Sequence, residues 1–206
     1  MFAVALAVAL NAPAVARDTS RAAWNRARPG AKAYVAAEEG DVPEARICPT
    51  IQMYPRSLRD NDPSGCKIVR QGTAVTIMSI ERERGDFGIY GHDLMVAKVR
   101  ANRGSVMGFI AIELLNPGIP AGADVTLKRT NGDDLNLAPS EGDAYGVGPS
   151  LASVTRARVI KYDPASSDAH DLQVRIISGP HAGEIGWVYA QNAFLSDGTP
   201  ITPLQP

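Results

Sequence analysis

Apolar and polar residues alternate along this chain in short blocks rather than at helical spacing. Ala33-Tyr34-Val35, Arg46-Ile47-Cys48 and the stretch from Thr73 to Ile80, where Val75, Ile77 and Ser79 share a face, all read as half-buried strands. The blocks come in one order, twice. The first pass runs Ile47-Cys48-Pro49-Thr50, Gly72 to Ile77, Val96-Ala97-Lys98-Val99, Gly108-Phe109-Ile110 and Leu114-Leu115. The second runs Leu137-Ala138-Pro139-Ser140, Ala157-Arg158-Val159-Ile160, Leu172 to Ile176, Gly186-Trp187-Val188 and Phe194-Leu195. Repetition of a whole series of strand-like blocks marks a duplicated unit. The pattern therefore predicts an all-β chain of two small units, residues 31-118 and 119-197, with no sustained helical period outside the N-terminus.

Turn chemistry places the joints. Asn116-Pro117-Gly118-Ile119-Pro120-Ala121-Gly122 interrupts strand structure and marks the boundary between the units. Thr50 to Cys66 is a long loop rich in turn residues, and Glu81 to Asp93 is a charged, glycine-containing loop that reads as a solvated hairpin. Asn131-Gly132, set between Val125–Thr130 and Asp133–Leu137, is a strong hairpin signal because both residues tolerate positive φ. Residues 17-30, with Arg17, Arg21, Arg26 and Arg28, read as a flexible basic leader, and residues 198-206 as an extended proline-rich tail.

The start of the chain changes the cellular picture. An apolar run over residues 2-10, a break at Pro13 and the small-x-small site Ala14-Val15-Ala16 describe a signal peptide over residues 1-16, although no basic residue precedes the run, so the true start of the signal can lie upstream of Met1. The run is too short to span a bilayer, and the mature chain is expected in the periplasm or outside the cell. In that setting the two cysteines, Cys48 and Cys66, read as a disulfide tethering the long loop, a contribution on the order of 3 kcal/mol. The net charge of -1 argues against a nucleic-acid partner, which needs a basic face. Hydrophobic residues make up 45% of the chain and aromatics only 6%, so each core is built from Val, Ile and Leu.

The second unit resembles bacterial SH3-like (SH3b) domains. The resemblance lies in Leu135-Asn136-Leu137-Ala138-Pro139-Ser140, in Ala157 to Ile160 and Leu172 to Arg175, and in the closing Gly183-Glu184-Ile185-Gly186-Trp187-Val188. The first unit resembles the family more loosely, with Cys48 in the opening turn and Phe109 in place of the tryptophan. The resemblance implies two small SH3-like barrels in tandem. It also implies a non-catalytic envelope module that binds cell-wall peptide, glycan or an extended protein segment.

Signatures of chemistry are incomplete. Asp60-Asn61-Asp62-Pro63-Ser64-Gly65 begins like a calcium loop, but Gln71 stands where the closing carboxylate is needed. Gly148-Pro149-Ser150-Leu151-Ala152 lacks the last glycine of a nucleophile elbow and follows a glycine-rich loop instead of a buried strand. The three histidines show no metal-binding spacing, and no catalytic residue, metal or cofactor is expected. Candidate ligand-binding residues are aromatic: Trp187 and Tyr189, alternate positions of one strand and so on one face, together with Tyr162 near the Asp163 to Asp171 loop. The alternative to a wall-binding role is a structural or assembly subunit of an envelope complex whose exposed aromatics form a protein interface.

Overall fold

The computed structural model describes residues 23–37, 44–54, 57, 62–83, 94–102, 104–130, 135–141, 148–165 and 171–204. The signal segment, the Asn131-Gly132 turn and most of the candidate calcium loop lie outside the described residues. The fold is all-β. One antiparallel sheet takes β1 (Lys32–Val35), β4 (Ala74–Glu83), β5 (Leu94–Ala101), β6 (Met107–Ala111) and β7 (Leu115–Pro117) in the order β6-β5-β4-β1-β7. The other takes β8 (Asp124–Lys128), β9 (Val154–Tyr162), β10 (Leu172–Ile176), β11 (Ile185–Val188) and β12 (Ala193–Phe194) in the order β11-β10-β9-β8-β12. A two-stranded ribbon of β2 (Glu44–Ile47) and β3 (Lys67–Arg70) completes the first half. Neither five-stranded sheet is closed into a barrel by its strand pairing.

The two sheets have one strand order, which is the duplication seen in three dimensions, and the correspondence extends to single atoms. Each unit enters through a turn with a glycine at positive φ, Gly30 at 82° and Gly122 at 85°. The Gly30 amide donates to Ile77 O at 2.8 Å, and the Gly122 amide donates to Val159 O at the same distance. Each long strand then carries an irregularity at one place, after Ile77 in β4 and after Val159 in β9. In β4 the extra residue is Met78, so Ser79 leaves the face shared by Val75 and Ile77. The second residue of each closing strand is a glycine that has no room for a side chain. A Cβ on Gly108 would lie 2.3 Å from Cys48 O, and one on Gly186 would lie 2.7 Å from Ala138 O. The residue that follows pairs across that gap, Phe109 with Cys48 and Trp187 with Ala138, each through two backbone hydrogen bonds of 2.7 to 3.0 Å. A short 3-10 turn follows in both units, Ile112–Leu114 and Ala190–Asn192.

Two cores result. The first buries Val35, Ile47, Ile77, Val99, Ile110 and Leu115 with Tyr54 from the long loop, and the second buries Leu127, Leu135, Leu172, Val174, Ile176 and Ile201. Each such side chain contributes about 1.5 to 3 kcal/mol when removed from water. Cys48 and Cys66 form a disulfide that ties the Tyr54 loop to β3.

Several sequence expectations are revised. The Glu81-Arg82-Glu83 run belongs to the arm of the β4–β5 hairpin, paired with Val96, Met95 and Leu94 of β5, because pairing with a strand that buries Leu94 and Val96 in the first core extends β4 into the charged run. Pro117 lies within β7, where an edge position spares it a ladder amide. Among the described residues, the Val125–Thr130 strand does not pair with 135–137: β8 pairs with β9 and β12, while Asn136 and Ala138 bridge to Ser150 and Trp187. Residues 23–30 are part of the fold and not a flexible leader, with Trp24 packed on the second core and Asn25 Nδ2 donating to Pro200 O at 2.9 Å. The proline-rich tail is likewise built in. Ile201 lies in the second core and Leu204 in the first, where its amide donates to Leu115 O at 2.7 Å.

Candidate functional site

The closing strand of the second unit positions the candidate aromatics. Gln173 pairs with Lys161 on one side and with Trp187 on the other, so these three side chains form a row across β9, β10 and β11 on one face of the sheet. Next to that row, Leu172 pairs with Tyr162 and Val188, which face the second core. Trp187 and Tyr162 therefore lie on opposite faces. Trp187 is only 8% exposed, yet it is absent from the second core cluster. It is covered from outside by the Lys161 ammonium, 5.2 Å from the ring centroid.

That ammonium is held by two carboxylates, Glu141 Oε2 at 3.3 Å and Asp163 Oδ2 at 3.6 Å. Lys161 is about half exposed, so these ion pairs contribute little stability and act mainly to place the side chain. The first unit shows a variant of the arrangement, with Lys98 Nζ 5.7 Å from the Phe109 ring, but Phe109 belongs to the first core. Tyr189 follows the end of β11 as the residue before the 3-10 turn, half-buried and in extended backbone. Tyr162 turns inward: its buried hydroxyl lies beside the Asn116 side chain without a hydrogen bond of normal geometry. Burial, and then the neighbouring Asp171, push its phenol far above the ordinary tyrosine value.

Asp171 was not singled out in the sequence, where it reads as one more loop acid. Its Oδ1 accepts the Ala190 amide at 2.7 Å, which fixes the start of the 3-10 turn after Tyr189. Burial pushes its carboxyl up to about 7, the Ala190 amide opposes the shift, and Asp163 and Glu141 add to it. Only the third dimension could reveal this, since nothing local distinguishes it from the other acids of the loop. Among the described residues no group of His, Cys, Asp or Glu could hold a metal ion, and no helix is long and apolar enough to cross a membrane. Asp62 caps its own turn, accepting from the Ser64 amide at 2.9 Å and the Ser64 hydroxyl at 2.7 Å. The chain has no significant match among protein-family models, curated proteins or solved structures.

Proposed function

We propose that the chain is an exported, non-catalytic envelope protein built from two SH3-like units, and that the outer face of the second unit binds cell-wall peptide, glycan or an extended protein segment. The observation that carries this reading is the position of Trp187, a large aromatic outside the second core cluster with the Lys161 ammonium over its ring. A buried tryptophan serves packing best inside the core, where its area is covered on all sides. Here the Lys161 ammonium lies over the ring at 5.2 Å, and a ligand that displaces it would stack there, with Gln173 beside it to donate or accept hydrogen bonds. The intramolecular disulfide and the absence of a long apolar helix among the described residues are compatible with export.

The test is sedimentation of the mature chain with purified peptidoglycan. Pelleting that weakens in Trp187→Phe and Tyr189→Ala, with unchanged thermal melts, supports the wall-binding reading. Trp187→Phe carries the first unit's own residue at that position and so keeps the strand packed. Absence of pelleting, with self-association that grows with concentration, would assign the chain to the structural or assembly role.

A further inference from the structure

The end of β9 and the loop beyond it carry a contact between the two units. Tyr162 packs on the second core with its hydroxyl beside Asn116 of β7 and near Tyr34 of β1. Beyond it, Ala165 lies directly against the turn at Gly72, where an added Cβ would fall 2.5 Å from the Ala165 Cβ and 2.6 Å from its Cα. Short hydrogen bonds connect this seat to the interior of the second unit. The Ala165 amide donates to Asp163 Oδ1 at 3.0 Å, the Asp163 amide donates to Asp171 O at 2.9 Å, and the Ala190 amide donates to Asp171 Oδ1 at 2.7 Å.

Among the described residues, the surroundings of the Asp171 carboxyl are poor in compensating charge. From β9 and its end come Asp163, Tyr162 and Lys161, the last already shared between Glu141 and Asp163. Glu141 comes from the segment after Ala138, and Tyr34 lies across the junction on β1. The Ala190–Asn192 turn supplies an amide and no charged side chain. An ionised Asp171 is therefore a half-buried anion beside two other carboxylates, stabilised by the Ala190 amide and its own backbone amide.

We propose that Asp171 makes the junction between the two units a proton-controlled contact. With the carboxyl protonated, Ala165 stays seated against Gly72 and the Tyr162 hydroxyl stays beside Asn116. Loss of the proton to solvent draws the carboxylate toward water and loosens that seat, since Asp171 and Ala165 are linked through Asp163. Burial and the neighbouring carboxylates place the transition near pH 7.

The experiment is a pH titration of the amide NMR signals of the intact mature chain from pH 5 to 8.5. The amides of Gly72, Asn116 and Ala165 are expected to shift together with one midpoint near 7, and Asp171→Asn, which keeps an acceptor for Ala190, is expected to abolish that transition. His170 and Asp168 are sequence neighbours of Asp171, so His170→Gln serves as a control that leaves the midpoint in place. Four results overturn the proposal: no transition in the wild-type chain, shifts confined to the second unit, a transition that survives Asp171→Asn, or one that His170→Gln removes.

Discussion

Gly108→Ala tests whether the closing glycine of each unit is a steric requirement. The added Cβ would sit 2.3 Å from Cys48 O and 2.9 Å from Cys48 C, and side-chain carbons essentially never come closer than 3.0 Å to such atoms. Relief therefore needs a backbone movement of at least about 0.7 Å between β6 and the Cys48 segment, which the disulfide to Cys66 restrains. The movement strains the two backbone hydrogen bonds between Cys48 and Phe109, 3.0 and 2.7 Å, each worth about 1 kcal/mol. Overpacking at a tight site adds about 1 to 3 kcal/mol. The expected loss is about 3 to 5 kcal/mol, comparable with the whole stability of a small domain. Urea unfolding followed by far-UV circular dichroism measures it. Gly186→Ala is expected to cost less, because its closest backbone contact is longer, Ala138 O at 2.7 Å, although Leu137 Cγ at 2.5 Å in the second core must also shift. A loss below about 1 kcal/mol for Gly108→Ala would falsify the steric reading.

Other outcomes follow from the same contacts. Asp171 has its carboxyl raised from 3.8 to about 7, so the folded state binds the proton more tightly than the unfolded chain, and stability falls as pH rises between those values. Asp171→Asn should flatten that slope and raise stability at pH 8 by at most about 4 kcal/mol, at about 1.4 kcal/mol for each tenfold difference in proton affinity between the folded and unfolded chain; an unchanged pH profile in denaturant melts contradicts the assignment. Replacing both cysteines by serine should cost about 3 kcal/mol and release the loop bearing Tyr54, read as faster limited proteolysis between Cys48 and Cys66; wild-type resistance would show that packing alone holds the loop. Dividing the chain after residue 118 removes Leu204 from the first core and Trp24 from the second, so each separate half should melt well below the intact chain in calorimetry. Halves that melt as the intact chain does would show that these crossings contribute nothing.

The strands were legible because each carries its alternation locally. Val75 and Ile77 fall on one face whatever surrounds them, and the Gly-Phe-Ile and Gly-Trp-Val segments correspond by sequence alone. Partners were less legible. Asn131-Gly132 suggested that Val125–Thr130 folds back on its immediate neighbour, but β8 pairs with β9 and β12, a choice set by the second core. Lys67–Arg70 carries no strand signal in the sequence because its side chains are mostly exposed and the strand owes its place to pairing with β2. The termini misled for a related reason. Isolated residues such as Trp24 and Leu204 carry no periodicity, so only the finished cores show why they are apolar. At the candidate site, alternation placed Trp187 on a strand face but could not show that Lys161 covers it or that Tyr162 faces the other way.

The repeat explains why the two halves differ where they do. Strand order, entry turn, irregularity and closing glycine are retained because each is dictated by backbone geometry, which no single side chain can replace. What varies is how the remaining volume is filled. The first unit ties down a long loop with a disulfide, fills its interior with Tyr54 and draws Phe109 into the core. The second has no disulfide, gathers Trp24 and Ile201 from opposite ends of the chain, and is free to leave its closing aromatic outside the core. A closing aromatic that lies outside the core cluster, under the Lys161 ammonium, makes the second unit the better candidate for recognition. It also leaves that unit dependent on the termini, so a ligand bound beside Trp187 would act on the part of the molecule whose integrity requires both ends of the chain.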